Sequence, residues 1–143
     1  YKINGGEGKS YNQSFELTEN GLYTIDYFAT DEVNNRNVGQ FFVEVDNTPP
    51  TITSIISSES IGTIQLKKYD GPLEVYPKGV KLFLAAQDNR VDVSKIVYKI
   101  NKGKETLYTG PIELSEPGVV KFIVKAFDFL GNATEEEKVI YVN

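Results

Sequence analysis

The residues that could do chemistry in this chain are carboxylates, lysines and aromatics, because it contains no His and no Cys. Without imidazole or thiol, Ser-His-Asp and Cys-His arrangements cannot be assembled, and zinc or copper has neither of its usual soft ligands. Carboxylate chemistry remains, with Asp31, Asp128 and the run Glu135-Glu136-Glu137 as its carriers. Asp31 and Asp128 fall in "ATDEVNN" and "AFDFLGN", loops that resemble each other. That pattern suits a turn the chain makes twice: each Asp accepts backbone N–H bonds and each Asn, Asn35 and Asn132, tolerates left-handed φ. No catalytic, cofactor-binding or metal-ligating residue is assigned on this reading, and no enzyme is expected.

Calcium is the cation that oxygen ligands alone could hold, and it asks for six to eight of them. Asp46, Asn47, Asp88 and Asn89 are the available donors near "VEVDNTPP" (43–50), a stretch that resembles the junctions of cadherin-type modules. The preferred reading is structural: Asp46 and Asn47 end a strand, and Pro49-Pro50 stiffens a short linker. Two further chemistries are weighed. Phe28 and Phe127, pointing away from the apolar face of their strands, could serve as sugar-stacking platforms, although Trp is absent. A Lys–Asn isopeptide bond would need a buried lysine, and Lys81, Lys99 and Lys121 all fall on polar faces.

The elements that position these residues are strands. "LYTIDYFATD" places Tyr23, Ile25, Tyr27 and Ala29 on one face, and "VVKFIVKAFD" does the same with Val120, Phe122, Val124 and Ala126. Residues 37–46 and 133–143 follow as return strands. Upstream, 51–57, 79–88 and 93–101 read as strands, while 63–77 and 107–114 each read as two short strands about a turn, at Asp70-Gly71-Pro72 and Gly110-Pro111. No window sustains a helical period.

"YKIN" occurs at 1–4 and again at 98–101, and at the same offset of 97 Gly6 matches Gly103, Tyr11 matches Tyr108, Asp31 matches Asp128 and Asn35 matches Asn132. Residues 1–46 therefore read as the C-terminal part of one repeat, with about five short strands, and 47–143 as a complete repeat of about seven. The chain reads as a piece of a longer polypeptide, and one face of its first part is expected to lack the strands equivalent to 51–88.

About seven short strands with turns every 8–12 residues is the pattern of an antiparallel β-sandwich. "LTENGLY" (17–23) resembles the Leu-x-Pro-x-x-x-Tyr corner of fibronectin III and immunoglobulin-like domains, and the whole pattern through "VEVDNTPP" resembles the bacterial immunoglobulin-like repeats of cell-surface and secreted proteins. In the second copy Val120 stands where that tyrosine would be. The resemblance implies an all-β immunoglobulin-like sandwich in tandem, acting as a non-catalytic spacer, stalk or adhesion module outside the cell. The alternatives are an accessory carbohydrate-binding module of a secreted enzyme, or a filament subunit completed by strand exchange. Its partners would be neighbouring modules of the same chain, a host or cell-surface protein or glycan, or a second copy through the open half. A net charge of −5 argues against nucleic acid, and no apolar run is long enough for membrane insertion as a helix.

Overall fold

The computed structural model describes residues 1–143 and is all-β, without a helix. It divides into two compact units, Tyr1–Asn47 and Thr48–Asn143. Asn47 lies with the first unit, one residue beyond the boundary read from the sequence. Its backbone N–H and its side-chain amide both donate to Asn20 Oδ1, at 2.9 and 3.0 Å, and the amide also reaches the Thr18 carbonyl oxygen.

The first unit is one sheet of β1 (Lys2–Ile3), β2 (Gly21–Thr30) and β3 (Arg36–Val45), in the order β1-β2-β3. β2 and β3 form a ten-residue hairpin from Gly21↔Val45 to Thr30↔Arg36. Three strands replace the five expected. Residues 4–20 contribute none, for a reason that the second unit supplies.

That unit holds β4 (Thr51–Ile56), β5 (Gly62–Ile64), β6 (Leu73–Tyr76), β7 (Val80–Gln87), β8 (Val93–Ile100), β9 (Thr106–Leu107), β10 (Ile112–Leu114), β11 (Gly118–Asp128) and β12 (Ala133–Val142). They make two sheets, β10-β7-β4 and β5-β6-β12-β11-β8-β9, antiparallel throughout except for the parallel pair β6/β12. The chain changes sheet at Gly110-Pro111: β9 pairs with β8, whereas β10 pairs with β7.

Period-two alternation dictates what meets between the sheets. Along β11, Val120, Phe122, Val124 and Ala126 point inward, and along β7 Val80, Leu82 and Leu84 do. These residues, with Ile52, Tyr76, Leu114, Ile140 and Val142, form one buried cluster, so the unit is a two-layer β-sandwich with its core between the layers.

β10 takes its hydrogen bonds from β7. The positions 97 residues earlier, 15–17, have no strand of the β7 kind beside them and stay outside any sheet. A run that reads as a short strand in sequence forms one only when a neighbour bonds its backbone.

Candidate functional site

The first unit leaves an apolar face uncovered. Ile3, Ile25 and Phe41 lie side by side across β1, β2 and β3, and Tyr27 lies opposite Gly39. Tyr1, Tyr11 and Phe15 lean over the same side and, with Ile25, Tyr27 and Phe41, line a cleft of about 880 Å³. Tyr1 and Phe15 stack at 4.6 Å and nearly parallel, while Tyr11 meets both edge-on. Tyr27 and Phe41 sit 6.0 Å apart and remain 47% and 49% exposed. Gly39 is what admits the tyrosine, since a Cβ there would come within 2.3 Å of its ring.

In the second unit the corresponding face is covered. Phe122, Val124 and Ala126 are no more than 2% exposed beneath the sheet that carries Leu82 and Leu84. Neighbouring details match at the same offset. Tyr1 and Tyr11 meet at 6.4 Å and 77°, Tyr98 and Tyr108 at 6.5 Å and 79°. Asn4 and Asn101 both take positive φ, 50° and 51°, and each accepts a backbone N–H on its Oδ1, from Thr24 and Lys121.

The two Asp loops are built alike. Asp31 Oδ1 accepts the N–H groups of Val33 and Asn35, and Oδ2 accepts the Asn35 amide at 2.8 Å. Asp128 does the same with Leu130 and Asn132. The left-handed residues are Asn34 and Gly131, not Asn35 and Asn132 as read from sequence; the latter asparagines are fixed by their side-chain bonds to the carboxylate. The hydrogen bond from the Asn35 side chain, with its backbone N–H and that of Val33, holds the Asp31 carboxyl below its ordinary range against the opposing effect of burial. For Asp128 burial pushes the carboxyl up, but the Asn132 side chain and the N–H groups of Asn132, Leu130 and Gly131 outweigh it, and it too lies low.

Of the nominated cation donors, Asp46 directly follows β3 and is buried, Asn47 closes the first unit, and Asn89 is exposed. Asp88 follows β7, and its Oδ1 accepts the N–H groups of Arg90 and Val91. The structure adds a neighbour that the sequence reading kept apart: carboxylate oxygens of Asp88 and Asp128 lie within 4.8 Å of each other. Their sequence signal is a shared Ala-x-Asp ending, Ala86-Gln87-Asp88 and Ala126-Phe127-Asp128, which closes strands of the two facing sheets.

The outward rings carry cations. Arg36 lies 4.1 Å over Phe28, and Lys95 lies 4.9 Å over Phe127. Lys81 and Lys99 are exposed, and Lys121 pairs with Glu137 at 2.9 Å. The acidic run is a ladder on β12: Glu135 pairs with Lys125 at 3.3 Å. In the corner motif, the Tyr23 hydroxyl donates to the Glu19 carbonyl oxygen at 2.8 Å.

No protein-family model matches the chain, and no curated protein matches it in sequence.

Proposed function

We propose that this chain is part of a tandem array of immunoglobulin-like modules, repeating about every 97 residues, and serves as a non-catalytic spacer, stalk or adhesion module of a large bacterial cell-surface or secreted protein. The observation that carries this reading is the recurrence, at that one offset, of the same hydrogen bonds: Asn4 and Asn101 to the β2 and β11 backbones, and the Asp31 and Asp128 loops with equal partners. The same turns rebuilt from the same residues support a chain built from copies of one unit. Support for the immunoglobulin-like topology comes from the strand order β10-β7-β4 against β5-β6-β12-β11-β8-β9, with the late hairpin β11–β12 central and β6 parallel beside β12. Support for the non-catalytic reading comes from the residues themselves: Asp31 and Asp128 are engaged in turns, Glu135 and Glu137 in cross-strand pairs, and neither imidazole nor thiol is present.

A stalk must bear tension, and the second unit is connected to do so. β12 is the last strand and lies parallel to β6, with Tyr141↔Val75 and Val142↔Tyr76 in register and the Asn143 N–H bonded to the Tyr76 carbonyl oxygen. Tension draws β12 by its C-terminal end and, once β4 and β5 are drawn out, β6 by its N-terminal side, so these bonds are sheared together and not opened singly. Single-molecule pulling of the 143-residue chain between its ends tests this. A distinct high-force event releasing a chain length of about 3.3–3.6 Å per residue of residues 73–143 is expected. Extension with no resisting event would overturn the load-bearing role.

A further inference from the structure

We propose that the aromatic face of the first unit receives a two-stranded β-ribbon with the apolar alternation of β4 and β7, joined in cis ahead of Tyr1. Its β7-like strand would bond residues 15–17. This rests on the reading of the two units as copies of one module.

Four observations converge on that occupant. The face is apolar and wet: Tyr27 and Phe41 are about half exposed, and Lys9 carries the one charged side chain lining the cleft. A neutral, apolar strand surface matches it, and an acidic or basic ligand does not. The second unit displays the match, because the counterpart face is covered by the inward residues Ile52, Leu82 and Leu84 of β4 and β7. The backbone agrees. Ile112–Leu114 is a strand because β7 bonds it, and residues 15–17, at the same place in the first unit, await such a neighbour.

Connectivity decides the source. β7 runs through 88–92 into β8, and β8 ends in the "YKIN" that recurs at Tyr1. A ribbon in the β4–β7 position therefore leads directly into Tyr1. The Tyr1 nitrogen already donates to the Lys9 carbonyl oxygen at 2.8 Å, and a peptide N–H there retains that bond. A second copy of this chain is a poor donor. Its β4 and β7 close its own core, where Leu82 is 0% exposed, and lending them would uncover an equal face.

The test is a graft. Residues 48–97 of this chain are placed directly before Tyr1 of the full chain, and amide exchange at 15–17 is measured with the binding of a hydrophobic dye such as anilinonaphthalene sulfonate. The expected result is protection of those amides rising on the order of 100-fold and dye binding falling several-fold, equally at all protein concentrations. Introducing Leu82→Asp with Leu84→Asp in the grafted copy alone should restore the original exchange and dye binding. Unchanged exchange and dye binding in the graft, or protection that survives the double Asp variant, would overturn the proposal. So would protection in the ungrafted chain that grows with concentration, since the occupant would then be a second copy. The pulling experiment reads residues 73–143, so the load-bearing role and this proposal can fail separately.

Discussion

Truncating Leu82 to Ala should cost the second unit more than truncating its neighbour Phe83, although phenylalanine loses more carbon. Leu82 is 0% exposed on the inward face of β7, and Phe83 is 40% exposed on the outward one. Removing three buried carbons forfeits ~2.4 kcal/mol of transfer free energy. A residual cavity of about 60–80 Å³, at ~24 cal/mol per Å³, adds ~1.5–2 kcal/mol. The sum, ~4 kcal/mol, is a large share of the ~5–14 kcal/mol expected of a domain of this size. Phe83→Ala opens no enclosed void, and about 1 kcal/mol is expected. Native-state amide exchange of the full chain, read at the β11 amides that report global opening of the second unit, gives both numbers without assuming that the two units unfold together. A Phe83→Ala loss equal to or larger than that of Leu82→Ala would refute the placing of the core between the sheets.

Other outcomes follow from single contacts. Asp31, Asp128 and Glu74 have carboxyls lowered below ordinary values of 3.8, 3.8 and 4.5. The stability they contribute is present above those values and is lost as pH falls through the lowered ones, so urea midpoints should drop below about pH 4. Tyr76 runs the other way: burial and the Glu74 carboxylate raise its hydroxyl above 10.0, and the associated stability should fade as alkaline titration passes through the raised value. Tyr23→Phe removes the hydroxyl bond to Glu19, and a loss of about 1 kcal/mol, with faster exchange around the corner in the first unit, is expected. Glu137→Gln breaks a pair whose side chains are 44% and 48% exposed, and a change below ~1 kcal/mol by urea unfolding, vanishing at high salt, is expected. Gly118→Ala, at φ +119° with open space around its Cβ, isolates backbone strain and should cost about 1–3 kcal/mol in the same assay.

The long strands were legible in sequence because alternation encodes a face: Val120, Phe122, Val124 and Ala126 declare the inward side of β11 without reference to any partner. The short ones of the second unit were legible from the turns between them, Asp70-Gly71-Pro72 and Gly110-Pro111, but a turn does not tell whether such a strand forms, since β5, β9 and β10 are two or three residues long and exist only where β6, β8 and β7 bond them. Residues 15–17 make the contrast, reading like β10 and yet forming no strand. The Asp loops were legible as turns, but the assignment of positive φ to Asn35 and Asn132 missed by one residue. Sequence reading saw that an asparagine belonged there, and only the hydrogen bonds distinguish the residue that turns the chain from the residue that clasps the aspartate. The approach of Asp88 to Asp128 depends on the packing of two sheets, which no local pattern records.

The edges of the sheets carry a consequence for solubility. In the second unit, β5, β9 and β10 stand at sheet edges with two or three residues each, which leaves a stray strand little to grip, and the fourth edge, β4, has six. β3 is an edge of another kind, ten residues long and carrying Val38 and Phe42 at 65% exposure. In a crowded solution of partly folded chains this is where intermolecular pairing would begin. Clumping during refolding should therefore track changes to β3, such as a lysine in place of Val38, more closely than changes anywhere in the sandwich.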